Sequence, residues 1–207
     1  MNVLLLNGSP HENGCTYTAL VAVADVLRES GVDAETLWIG ATPVRGCIAC
    51  GGCYKKGRCA FDGDIVNLVI KRMAAADGLI IGSPVYYAAA NGSLTALLNR
   101  VFYAGGQGFA HKPGAAVVSA RRAGTTAALD ELNKFFTISQ MPLVSSRYWN
   151  MVHGNTPEQV REDKEGMQIL RQLGRNMAWL LRCIEAGRAV GCEPPALDRW
   201  TPTNFIR

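Results

Sequence analysis

The sequence predicts an α/β protein built on a doubly wound, five-stranded parallel sheet with helices on both faces. Three observations predict it. Short apolar runs recur without the polar alternation of half-exposed strands, and runs of that kind are buried on both faces. Segments with helical spacing of apolar residues alternate with them. Three of the runs end in loops of small and polar residues directly before a helix, which is where such sheets bind ligands. A chain of 207 residues, 48% apolar and 18% charged, has enough material for one good core, so a single domain over 1–207 is expected.

The first strand is Asn2 to Leu6, bounded by Asn7 and Gly8. The loop from Gly8 to Thr18 is rich in Gly and hydroxyl side chains, and a helix from Ala19 to Ser30 follows it. Strand, small polar loop and helix form the geometry for holding a phosphate, because the helix N-terminus presents free N–H groups and a favourable dipole. Ser9, Thr16 and Thr18 add hydroxyls and His11 a proton. A plain βα turn with an N-cap hydroxyl is the alternative. The loop matches neither the dinucleotide nor the nucleoside-triphosphate fingerprint.

Gly31 ends this helix, and Ala34 to Ile39 is the second strand. After a cysteine-rich loop over 46–62, Asp62 and Asp64 introduce a helix from Ile65 to Ala76. Gly78 to Gly82 is the third strand. Its carboxyl end runs through Ser83, Pro84, Val85, Tyr86 and Tyr87, whose tyrosines either pack on the sheet edge or flank a flat aromatic ligand. A helix from Ser93 to Phe102 and a flexible link over Gly105 to Phe109 lead to the fourth strand, Gly114 to Val118. Ser119, Arg121 and Gly124 then precede a helix reaching Ser139. Leu143 to Ser146 is the expected fifth strand, followed by an aromatic loop with Trp149 and His153. Pro157 opens the longest helix, Glu158 to Ala189, with Gly166 and Gly174 as possible breaks. The extension 190–207, with Trp200 and Phe205, is expected to lie extended over a neighbour.

Cys47, Cys50, Cys53 and Cys59 place four of seven cysteines in thirteen residues, spaced C-x2-C-x2-C-x5-C. Four thiolates at such spacing can converge on one iron-sulfur cluster or one zinc ion. Ala49, Gly51 and Gly52 let the backbone fold round a small inorganic object. Disulfides, which suit short secreted chains, and idle thiols packed as small hydrophobes are the other readings. Cys183 and Cys192 stand apart and are structural or incidental. The net charge of +4 fits a phosphorylated small molecule and is too small for nucleic acid. No signal-peptide pattern and no run of roughly 20 apolar residues occurs, so a cytoplasmic protein without a membrane partner is expected.

Gly8-Ser9-Pro10 with Thr16, Gly82-Ser83-Pro84-Val85-Tyr86 and the compact cysteine run resemble the iron-sulfur flavoproteins, within the NADPH-dependent FMN reductase branch of flavodoxin-like folds. The resemblance covers at least residues 1 to 125. It implies a flavodoxin-like three-layer sandwich and FMN as prosthetic group. It also implies a 4Fe-4S cluster on Cys47, Cys50, Cys53 and Cys59, exchanging single electrons with the flavin. Carried over residue by residue, FMN contacts fall on Ser9, His11, Cys15, Thr16, Thr18, Ser83, Pro84, Val85, Tyr86, Tyr87, Ser119, Arg121 and Gly124. His11 stands where Arg is common, Cys15 where Asn or Ser is usual, and Thr95 where many relatives carry a lysine. No side chain stands out as an obligatory acid, base or nucleophile. The implied partners are a small donor such as ferredoxin or NAD(P)H, and further copies of the chain in a homodimer or homotetramer. Two alternatives stay open: an NAD(P)H-dependent FMN or quinone reductase without a cluster, and a non-enzymatic redox or metal sensor.

Overall fold

A computed structural model of the chain describes residues 1–54, 56–198, 201 and 203. The strands are β1 (Asn2–Asn7), β2 (Asp33–Trp38), β3 (Gly78–Tyr86), β4 (Ala89–Ala90), β5 (Gly114–Ala120) and β6 (Met151–His153). Five of them are parallel in the order β2-β1-β3-β5-β6, and β4 is a short antiparallel return on β3. The helices are α1 (Cys15–Glu29), α2 (Val66–Ala75), α3 (Gly92–Gly105), α4 (Thr125–Ile138), α5 (Pro157–Glu162) and α6 (Lys164–Ala189).

The pleat sends successive side chains to opposite faces. Leu4 and Leu6 of β1 therefore join the core under α2, α3 and α4. Val3 and Leu5 join the core under α1 and α6. Burying each of these side chains contributes about 1.5–3 kcal/mol, which is why the run contains no polar alternation. Strand order reverses direction at β1, whose neighbours are β2 and β3, and the carboxyl ends beside that point form a crevice.

Several boundaries differ from expectation. Helix α1 begins at Cys15, so Thr16 and Thr18 belong to its first turn and not to the loop. The fifth parallel strand is Met151–His153, inside the stretch expected to be an aromatic loop. Leu143 makes a single bridge to Gly114, after which the chain leaves the sheet. Ser146 then turns the chain, its hydroxyl standing 2.6 Å from the Tyr148 carbonyl and 2.8 Å from Asn150 Oδ1 with one proton to share between them, and Val152 takes the fully buried place against Ser119. The long helix breaks at Asp163 and not at Gly166 or Gly174. The Asp163 side chain caps α6 by accepting from the Gly166 N–H at 2.9 Å. Gly174 lies against α1, where a Cβ would come 3.0 Å from the Val23 carbonyl. The stretch expected to be a flexible link is ordered: α3 runs to Gly105, a 3-10 turn follows, and Phe109 is buried edge-on to Phe102 at 5.5 Å. Trp200 and Phe205 lie outside the described residues.

Candidate functional site

Three loops at the carboxyl ends of β1, β3 and β5 form one cradle. The first is tied to the second through the main chain. Gly8 donates its N–H to the Gly82 carbonyl at 2.8 Å, and Asn91 Nδ2 donates to the Gly8 carbonyl at 2.7 Å. A Cβ on Gly8 would stand 2.7 Å from that Gly82 carbonyl, so only glycine permits this approach. Within the first loop the His11 N–H donates to Ser9 Oγ at 3.1 Å, and Trp38 Nε1 donates to the Ser9 carbonyl at 2.8 Å. The loop delivers the chain into α1, whose N-terminus has no side-chain cap and no acidic residue in its first turn. An uncapped, unopposed helix start offers N–H groups to an anion.

Thr16 and Ser119 are both buried, and their hydroxyls meet at 2.9 Å, joining the first loop to the third. Thr18 donates to the Gly14 carbonyl at 3.2 Å. Ser83 accepts the Asn91 N–H at 3.0 Å and so closes the base of the β3–β4 hairpin. At its tip Tyr87 (φ 51°) and Ala88 (φ 60°) both adopt the left-handed conformation that a tight hairpin turn requires. Glu131 on α4 steadies the return strand by accepting the Ala90 N–H at 2.8 Å. Gly124, at φ 96°, brings the third loop against the hairpin, and a Cβ there would fall 2.8 Å from Ala88 Cα. Pro84 and Val85 are half-buried beside the crevice, while Tyr86, Tyr87, His11 and Arg121 are exposed. Burial pushes the Cys15 thiol above its ordinary range.

The cysteine pocket is built differently. It belongs to the irregular segment between β2 and α2 and packs on the far part of α3. Cys47, Cys50, Cys53 and Cys59 line one cleft, together with Phe61 and Arg100. Cys47 and Cys50 are exposed, Cys53 is intermediate and Cys59 is buried. Gly52 is a close approach, since a Cβ would lie 2.8 Å from that of Ala60. The Cys59 end is firmly held: its N–H donates to Asn67 Oδ1 at 2.8 Å, and Asn67 Nδ2 donates to the carbonyls of Cys59 (3.1 Å) and Phe61 (3.2 Å). Arg100, 2% exposed, reaches Cys59 Sγ from Nε and Nη2, each at 3.4 Å, and pairs with Asp64. Burial alone would lower the Arg100 pKa, but the hydrogen bonds to Asp64 and Cys59 outweigh it and raise it. Among the described residues no group of three or more His, Cys, Asp or Glu stands close enough to hold a single metal ion.

Of the residues picked from the sequence, the structure brings Ser9, Thr16, Ser83, Ser119 and Gly124 into one knitted cradle, and the four loop cysteines round one cleft. Trp149 stacks edge-on against Tyr148 at 5.2 Å on the exposed surface. His153 Nδ1 stands 3.8 Å from Asp163 Oδ2. Sequence reasoning missed Asn91, Glu131, Asn67 and Arg100. The signal for Arg100 was present: it is a lone charge beside Leu97, Leu98 and Val101 on the apolar side of a helix.

The family described as NADPH-dependent FMN reductase matches residues 1–156. An iron-sulfur flavoprotein of Methanocaldococcus jannaschii is 28% identical over 194 residues, covering 89% of this chain and all of its own length. Among solved structures, RosB with bound 8-demethyl-8-formylriboflavin-5'-phosphate superposes with a TM-score of 0.71 at 12% identity, covering 100% of this chain and 94% of that one. A flavodoxin from the domain Archaea superposes with a TM-score of 0.59 at 13% identity, covering 88% and 99%. No described helix is long and apolar enough to cross a membrane. The chain belongs to the NADPH-dependent FMN reductase family, with a flavodoxin-like α/β fold, and is a flavin-dependent oxidoreductase.

Proposed function

We propose that the chain is an electron-transfer iron-sulfur flavoprotein, working between FMN in the cradle and a 4Fe-4S cluster in the cysteine pocket. The observation that carries the reading is the convergence of Cys47, Cys50, Cys53 and Cys59 on one cleft in a chain of this family. The relatives named iron-sulfur flavoprotein support it, one of them matched over its full length.

In this reading the uncapped start of α1 takes the phosphate, with Ser9 and His11 beside it and the Thr16–Ser119 pair holding the loops together. Cys15 and Thr18 shape the same helix turn. Pro84, Val85, Tyr86 and Tyr87 would line the ring's site together with Arg121 and Gly124, the glycine being packed against the hairpin. Backbone N–H groups of these loops favour negative charge on the ring's polar rim and cost little reorganisation. When bound, FMN supplies one- or two-electron redox chemistry and the cluster supplies single-electron steps. The remaining proposals are a small donor such as ferredoxin or NAD(P)H, a homodimer or homotetramer, and a cytoplasmic setting.

The test is iron and acid-labile sulfide per FMN in protein prepared without oxygen. About one four-iron cluster per flavin is expected. FMN without iron or sulfide after anaerobic reconstitution would sink the cluster. It would leave the second reading, an NAD(P)H-dependent flavin or quinone reductase, which the family match and the exposure of Cys47 and Cys50 favour.

A further inference from the structure

Arg100 is a buried cation with every donor used. A guanidinium carries five N–H groups. Here Nε and one Nη2 proton go to Cys59 Sγ, each at 3.4 Å. The other Nη2 proton goes to the Phe61 carbonyl at 3.3 Å, and Nη1 serves the Arg45 carbonyl at 3.2 Å and the Asp64 carboxylate. A charge 2% exposed costs several kcal/mol unless it is paired and fully hydrogen-bonded. A clasp between a loop and a helix needs no such charge, because apolar packing of the same volume is usually as stable. Two of the five donors address a sulfur, and that sulfur is the buried one of the four that line the cleft.

We propose that Arg100 is a positioning residue for the cluster: it fixes Cys59 as the anchoring ligand, and its charge, balanced by Asp64, sets the potential of the group the four cysteines hold. This rests on the cluster reading above. One electron added to the cluster by a one-electron donor adds one negative charge beside the guanidinium, with no bond broken and no proton required. Hydrogen bonds to a ligand sulfur and a nearby positive charge both favour the reduced form. Arg100 therefore raises the potential, and Asp64, by opposing that charge, restrains the rise.

The test is an anaerobic redox titration of reconstituted wild type, Arg100→Gln, Arg100→Lys and Asp64→Asn. It follows cluster absorbance and electron paramagnetic resonance, with iron and sulfide measured alongside. Arg100→Gln should shift the reduction equilibrium about tenfold toward the oxidised form, ~59 mV downward for a one-electron couple. Asp64→Asn should shift it the opposite way by a similar factor, and Arg100→Lys should keep most of the wild-type value. Opposite signs are what a mechanical clasp would not produce. Loaded variants at the wild-type potential, or both shifting the same way, overturn the proposal. Should Arg100→Gln fail to fold by circular dichroism, an unmoved Asp64→Asn potential overturns it alone. A wild type that takes up neither iron nor sulfide removes the cluster reading itself, an outcome visible before any variant is compared.

Discussion

The cradle and the cysteine pocket, the two places proposed above for a cofactor, are built by opposite means. The cradle is held by short links between neighbouring strand ends. Its three loops leave strands whose positions the sheet fixes, and they are joined by Gly8 to Gly82, Asn91 to Gly8 and Thr16 to Ser119. The pocket is mostly side chain. A long irregular segment returns to the body through Asn67 and Arg100, both of which grip its Cys59 end. The opposite end, with Cys47 and Cys50, stays exposed. The cradle spreads its links over three loops, one between main-chain groups and two through the side chains of Asn91, Thr16 and Ser119. A pocket built from side chains depends on two or three of them almost entirely.

The largest effect is expected from Gly8→Ala. Its new Cβ would meet the Gly82 carbonyl at 2.7 Å, and a main-chain atom cannot swing aside. Overpacking of this kind costs about 3 kcal/mol, read as a lower urea midpoint, and FMN should be lost on gel filtration. Retained FMN at wild-type stability would mean that the cradle is looser than its contacts indicate. Asn67→Ala comes next. Removing the hydrogen bonds to Cys59 and Phe61 should cost about 2 kcal/mol and sharply reduce iron loading, while FMN content stays at the wild-type level. Equal loss of both groups would erase the distinction between the two regions.

Thr16→Val should be milder. It leaves Ser119 without its partner, for about 1 kcal/mol of stability and roughly tenfold weaker FMN binding, with iron loading unchanged. The smallest expected effect concerns pH. Burial raises the Cys15 thiol above its ordinary 9.0. A group with a raised folded value stabilises fully below its unfolded value, and the contribution is lost as pH rises through the folded one. Cys15→Ser should therefore flatten part of the fall in stability on the alkaline side of about pH 9. An identical pH profile would show that Cys15 is not the group responsible.

The cradle was far more legible in the sequence than the pocket's supports. Apolar runs, glycines and hydroxyls mark strand ends through local pattern, and Ser9, Ser83 and Ser119 were found that way. The cysteines announced themselves by spacing. Their holders did not, because Asn67 and Arg100 lie on two helices eight and forty-one residues from Cys59, and tertiary contacts leave no periodic trace. The last strand was misplaced for a related reason. Leu143-Val144 and Met151-Val152 are equally apolar, and only the turn through Ser146 and Asn150 decides which pair enters the sheet. The final helix carries two glycines that mark a break in the sequence, yet it splits at Asp163, a sound helix cap.

Helix α3 touches both regions. Asn91, its N-cap, anchors the first and second loops of the cradle, and Arg100, nine residues on, grips Cys59. At a rise of about 1.5 Å per residue the helix sets a spacing of roughly 14 Å between these two contacts, measured along its axis. It also sets a phase. One residue inserted between them would turn Arg100 by about 100° and carry it away from the sulfur, so the length of this helix is as much a part of the molecule's wiring as any ligand.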